Sequence, residues 1–368
     1  MEISRIGRRE FLRLAGIAGA ALVGAACAPA ASPASTPTKA AGQAGTGSVA
    51  RPPGSRPEEV RAELYEAAKK EGQLVFYATG TAKEVDEYRK VFSKTYPGIE
   101  LKDFTSNAQG LYDKLLPEFK AGRVNADCVL TNLDQWVPTL KEGFMEKWQG
   151  PEASNFPAEA MGPTGHYVIS EVVVHVISYN TKLVPAADAP KNYEDLLKPI
   201  FKGRLGLEQN GYGWLTSRMS IWGREKALDY ARRLATQRPT LISGYTTLAD
   251  AVVSGEVWAA VNVYQHRVEQ QKATGAPVEW AADNPTSSEG QGIGVTKGAP
   301  HPNAGKLFAD WRLTAEAQQI TLNAGRYPVR KGMVIPQALQ VNLVLPTLEI
   351  AAEVPNNVAI FKEIFGMV

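Results

Sequence analysis

The stretch Leu74–Tyr96, LVFYATGTAKEVDEYRKVFSKTY, changes its hydrophobic period midway, and that change limits what the chain can build. Leu74-Val75-Phe76-Tyr77 is a short apolar run of β-branched and aromatic residues, the pattern of a buried strand. Ala78-Thr79-Gly80-Thr81 is small and polar. Beyond it, Val85, Tyr88, Phe92 and Tyr96 recur at helical spacing, with Lys, Glu, Asp and Arg on the other face. Pro97 and Gly98 stop that helix, and Ile99-Glu100-Leu101 opens a second strand. The result is a β-α-β unit. The loop after its first strand runs into a helix N-terminus, where free backbone N–H groups can meet a ligand.

The alternation continues. Ile99–Phe104 reads as a strand, Thr105-Ser106-Asn107 as a turn, and Leu111, Leu115 and Phe119 as a helix face, with Pro117 predicting a kink. Ala126–Leu130 is a third strand; Thr131-Asn132 follow it, and Trp136, Leu140 and Phe144 return to helical spacing. In a parallel sheet these three polar turns share one edge. Tyr167–Tyr179 is a long β-branched run, expected to cross between two lobes. After Pro190 the alternation restarts. Strand Arg204–Leu207 leads through the turn 209–213 to helices Trp214–Trp222 and Lys226–Ala235. Helix Leu248–Ser254 and strand Val257–Val263 follow. Pro277–Ala281 is expected to cross back, Gly292–Val295 to be a strand, and Asn303–Asn323 one long amphipathic helix. The expected fold class is α/β with two lobes, each a mainly parallel sheet flanked by helices, joined by hinge strands. Residues 57–172 and 282–368 would form lobe 1, and 173–281 lobe 2.

The N-terminus reads as an address. Arg8-Arg9 precede an apolar stretch, Ala15–Val23, too short to span a bilayer. Residues 1–26 are expected to be a signal peptide of twin-arginine type, with Gly7 where Ser or Thr is usual. Gly24-Ala25-Ala26-Cys27 is similar to a lipobox, so Cys27 is the expected lipidation site. Residues 27–56, rich in Ala, Pro, Ser, Thr and Gly, form the expected tether. Of 40 basic and 38 acidic residues in the chain, removing 1–26 leaves 36 of each, which argues against nucleic acid as a partner. Cys27 and Cys128 are not spaced as a metal motif, and Cys128 reads as a buried free thiol. The chain shows no Gly-x-Ser-x-Gly elbow, no paired His on a helix and no Gly-x-Gly-x-x-Gly, so an enzyme is not expected. Gly290-x-Gly292-x-Gly294 has the wrong spacing for a nucleotide fingerprint.

Several segments together resemble bacterial extracellular solute-binding proteins of the ferric-iron type, the receptors of ABC importers. They are 74–101, 178–208, LADAVVSGE (248–256), 294–318 and YPVR (327–330). The resemblance implies a two-lobed periplasmic-binding-protein fold of type II-like form. It also implies a small-molecule ligand in the cleft, closure on binding, and docking onto an ABC permease. A monomer outside the cytoplasm, membrane-anchored through Cys27, is expected, with no cofactor. Iron binders of the family usually carry adjacent tyrosines after the strand that here is Val257–Val263, often with a His near the first strand. Here Tyr264 is followed by Gln265, and the first loop holds no His. One phenolate among neutral amides suits hard ferric iron poorly.

The candidate ligand contacts are therefore Thr79, Gly80, Thr81, Asn107, Asn132, Gln209, Asn210, Tyr212, Tyr264 and Gln265. Each has a bland reading as a cap, turn or packing residue. The expected ligand is a small organic anion or polar solute, with iron held by Tyr264 as the alternative. His175 and His301 read as packed structural residues.

Overall fold

The computed structural model describes residues Pro57–Met367, so the segment 1–26, Cys27 and the tether 27–56 lie outside the described residues. Helix α1 (Pro57–Glu71) is followed by β1 (Gln73–Thr79), α2 (Ala82–Thr95), β2 (Glu100–Ser106), α3 (Ala108–Lys120), β3 (Cys128–Asn132) and α4 (Leu133–Lys141). Strand β1 lies parallel to both β2 and β3, with Thr79 opposite Ser106 and Tyr77 opposite Val129, so the polar strand ends share an edge.

Long strand β4 (Val168–Asn180) then leads to β5 (Leu205–Glu208), α5 (Tyr212–Trp222), α6 (Arg224–Thr236) and β6 (Thr240–Ile242). Next come α7 (Tyr245–Ser254), β7 (Ala259–Tyr264), α8 (Gln265–Ala273), β8 (Val278–Ala281) and β9 (Ser288–Val295). Strand β5 is parallel to β6 and β7, giving a second parallel group. Along the sheet the order is β2-β1-β3-β9-β4-β7-β5-β6. Strand β4 belongs to both halves: Val168–Val174 pair with β9, whereas His175–Tyr179 pair with β7. The chain returns between β8 and β9, as expected of hinge strands.

Helix α2 shows how the sequence sets an element. Thr81 Oγ1 accepts from the Glu84 amide at 3.3 Å and Glu84 Oε2 accepts from the Thr81 amide at 2.8 Å, a reciprocal cap that fixes the helix start. Its buried face, Val85, Tyr88 and Phe92, packs on α9 (Pro302–Trp311). There Phe92 meets Phe308 at 5.1 Å and Trp311 at 5.3 Å between ring centroids, and Phe76 from β1 meets Phe308 at 4.8 Å. Burying each such ring stabilises by roughly 1.5–3 kcal/mol.

Two expectations need correction. The single helix over 303–323 is two, α9 and α10 (Ala315–Asn323). Thr314 caps the second by accepting from the Ala317 amide at 3.3 Å, and a local side-chain acceptor of that kind competes with helix continuation. The second concerns the segment after strand β10 (Tyr327–Pro328). Helix α12 (Val354–Ile364) does not group with the first half as 282–368 would have it, whereas Ala351 of the short helix α11 (Leu348–Ala352) joins the first core with Leu133 and Trp136. Phe361 is fully buried among Leu205, Leu207, Trp214, Leu215 and Tyr230, in the core of the second half. Asn357 Nδ2 donates to Thr216 Oγ1 of α5 at 3.1 Å. Amphipathic spacing identifies the helix but not which core receives it.

Candidate functional site

A cavity of about 630 Å³ opens where the helix starts of both halves converge. Asn107, Ala108 and Gln109 begin α3; Asn132, Leu133, Asp134 and Gln135 begin α4; Asn210, Tyr212 and Gly213 begin α5. Tyr245 opens α7, and Tyr264 precedes α8. Helices α4, α5, α7 and α8 have no side-chain hydrogen bond at their N-caps, although in α4 the Gln135 amide donates to Asp134 Oδ1 at 2.9 Å. One wall is apolar and comes from a single run of chain: Val344, Pro346, Ile350, Ala351 and Val354.

Glu289, on β9, is the charged centre. Tyr264 donates its hydroxyl to Glu289 Oε2 at 3.3 Å, Tyr245 to Oε1 at 3.5 Å, and Asn132 Nδ2 to Oε2 at 3.3 Å. His175 Nε2 lies 3.3 Å from Oε1 but makes no aligned hydrogen bond. Burial alone would raise the Glu289 carboxyl, yet nearby His175 and the two phenols hold it below the ordinary carboxyl value. The same burial, with Glu289 alongside, pushes the Tyr245 and Tyr264 phenols well above their ordinary value, so both act as donors. Their rings lie 4.3 Å apart, and the His175 ring packs 5.2 Å and 5.4 Å from them. Asp134 faces the same space; burial and Glu289 push its carboxyl up to about 6. No Lys, Arg or His is among the described residues lining the cavity.

Magnitudes decide the sign of this site. Unit charges 4 Å apart interact by about 4 kcal/mol at an effective dielectric of 20, whereas a helix end contributes about 0.3–1 kcal/mol. A carboxylate therefore outweighs any single helix start, and the starts offer hydrogen-bond donors rather than net positive charge.

Behind Glu289 runs a relay. Arg326 Nη1 donates to Gln291 Oε1 at 3.0 Å, Gln291 Nε2 to Asn132 Oδ1 at 3.0 Å, and Asn132 in turn to Glu289. This fixes the Asn132 amide with its nitrogen toward the carboxylate. Arg326 also donates to Glu84 Oε1 and Oε2 at 3.0 and 3.2 Å. That ion pair explains Gly80, where a Cβ would stand 2.8 Å from Glu84 Oε2.

Of the residues expected at the ligand, Asn107, Asn132, Asn210, Tyr212 and Tyr264 line the cavity. Thr79 and Gly80 instead border a small hollow beside Glu84 and Arg326, and Thr81 caps α2. Gln209 is exposed, its amide bonded to the Ile242 carbonyl. Gln265 is buried and donates to the Leu339 carbonyl at 3.2 Å. Trp214 is a core residue whose Nε1 donates to Tyr193. Cys128 is buried and free, and His301 is bonded through its Nδ1 to Asp127. Sequence reading missed Asp134, Tyr245, Glu289 and the apolar wall. A signal existed for Glu289, a charge inside a strand with a neighbour on each side, and for Asp134, two residues beyond the Asn132 turn. Nothing in residues 344–354 points to a distant cavity.

Comparison with known proteins agrees with this architecture. An uncharacterized protein of Haemophilus influenzae is 24% identical over 274 residues, covering 70% of this chain and 78% of its own. Iron-bound HitA from Pseudomonas aeruginosa superposes with a TM-score of 0.69 at 22% identity, covering 79% of this chain and 99% of HitA. The periplasmic binding protein AfuA from Actinobacillus pleuropneumoniae, with fructose-6-phosphate bound, gives 0.69 at 20% identity, covering 81% and 99%. At such identities these structures speak for the two-lobed fold alone. Residues 87–344 match the model of the bacterial extracellular solute-binding proteins. The chain belongs to that family, the solute receptors of ABC importers, whose place is outside the cytoplasm and whose partners are a small solute and a membrane permease.

Proposed function

We propose that this receptor takes a small organic solute into the 630 Å³ cavity and carries out no chemistry on it. The observation that carries this reading is the convergence there of helix starts from both halves, opposite one apolar wall. Uncapped amides with Asn107, Asn132 and Asn210 suit a polar or anionic oxygen, and Tyr212 with the wall covers the apolar part. The halves close on the solute, and the closed form docks on the permease. The protein acts as a monomer, exported by its signal and held at the membrane through lipidated Cys27. Solution scattering with and without a solute identified by native mass spectrometry tests closure: the radius of gyration falls on binding, and an unchanged value at saturation counts against the cleft. Cys27→Ala should move the protein from the membrane to the soluble extracytoplasmic fraction; retention on membranes after a high-salt wash would refute the anchor.

Ferric iron is the second reading, favoured by the gathering of two phenols and a carboxylate at Tyr245, Tyr264 and Glu289. Against it, both phenols are held protonated, and among the described residues no group of three or more His, Cys, Asp or Glu is placed to hold a metal. Titration with ferric citrate is expected to leave the protein colourless. A visible tyrosinate charge-transfer band lost in Tyr264→Phe would establish iron.

A further inference from the structure

We infer that the solute carries a protonated amine whose charge is balanced by Glu289 and Asp134, with the faces of Tyr245 and Tyr264 beside it. This deepens the receptor reading and rests on it. The cavity presents two carboxylates, and among its described lining residues there is no cationic side chain to neutralise them. Glu289 is met by two phenols and an amide, neutral donors that orient the carboxylate, and by His175, whose Nε2 lies 3.3 Å away without an aligned hydrogen bond, so no Lys or Arg sits against its charge. The nearest cationic side chain in the relay, Arg326, is already shared between Glu84 and Glu171 and reaches Glu289 only through two neutral amides. A half-buried carboxylate without a full counter-ion is costly, and an ammonium on the ligand supplies one at the moment of binding. The Tyr245 and Tyr264 rings, 4.3 Å apart, add aromatic faces of the kind that attract ammonium groups. A bare metal cation fits less well. The space is far larger than an ion, and its opposite wall, Pro346, Ile350 and Val354, asks for carbon. Uncapped amides at the start of α5, beside Asn210, remain for a polar or anionic oxygen on the same solute, so a zwitterion satisfies both poles.

The test is a charge series on fixed skeletons. The full chain at pH 7.5 is screened by thermal shift against the butyl, hexyl, cyclohexyl and phenethyl amines, the matching alcohols and the matching carboxylates. Stabilisation by members of the amine arm alone is expected. For the strongest amine, calorimetry should show at least a tenfold loss of affinity in Glu289→Gln and a smaller loss in Asp134→Asn. The Asp134→Asn comparison stands alone should Glu289→Gln fail to fold. Stabilisation by carboxylates without amines overturns the inference and leaves the receptor reading intact. No shift from any amine overturns it too, as does an amine whose affinity is the same in both variants. The receptor reading falls separately, if the protein isolated from its own cells carries no solute by native mass spectrometry and none from a broad metabolite screen.

Discussion

Glu171 accepts from Arg312 Nη2 at 2.8 Å and stands 3.5 Å from Arg326 Nη1, with all three side chains buried or nearly so. Arg312 also lies 3.8 Å over the Tyr88 ring. Removing one partner of such a group strands the other charges, so Glu171→Gln is expected to cost about 3–5 kcal/mol in chemical denaturation. By contrast, breaking the exposed Arg233–Glu194 pair should cost no more than about 1 kcal/mol. Asp134 supplies a pH signature. Its carboxyl titrates near 6 in the folded chain, above the ordinary 3.8, so its contribution to stability is present in acid and is lost as pH rises through about 6. Asp134→Asn should therefore gain on the parent protein by at most about 3 kcal/mol at neutral pH and almost nothing near pH 3, as read from melting at both. Neither residue was legible for its role. Glu171 sits in a run that reads as apolar strand, and its partners come from 141 and more residues away. Asn132 and Tyr264 were legible because strand ends in a parallel sheet have a fixed address.

At the scale of elements, β9 carries the row Gly290, Gly292 and Gly294, whose spacing fits no nucleotide loop. Gly292 and Gly294 are a bed for the Trp136 indole, whose Nε1 donates to the Gly292 carbonyl at 3.1 Å, and Gly290 makes room for Leu133 and Pro346. A Cβ at Gly292 would lie 2.6 Å from that nitrogen, and one at Gly294 would lie 2.4 Å from the His166 carbonyl oxygen. Gly294→Ala should thus destabilise by about 1–3 kcal/mol, with altered Trp fluorescence on unfolding curves. Helix and strand types were largely legible from period alone, as α2 with its capping box illustrates. Boundaries followed less well: β9 begins at Ser288, before the apolar run, because its first residues pair with Val174 and Glu289 with Val173. The break at Thr314 came from one local acceptor, which a run of helical spacing conceals.

The whole molecule hangs on β4, hydrogen-bonded to β9 over one length and to β7 over the next. That strand was readable in the sequence as long, and therefore as a crossing. The course of the chain beyond β10 was not. Leu343 bridges to Thr286, Val344 accepts from Ser288 Oγ, and the chain then lines the cavity before burying Phe361 in the other half. Residues 87–344 carry the family's pattern, and all of the wall but Val344 lies past them. Since Val344–Val354 is one continuous run, held at its start through the Val344 backbone and followed by Phe361 in the second core, its side chains can be exchanged without changing a strand residue. A lineage, or a designer, can therefore retune which carbon skeletons are admitted by editing a short cassette, while the strands of the sheet stay as they are.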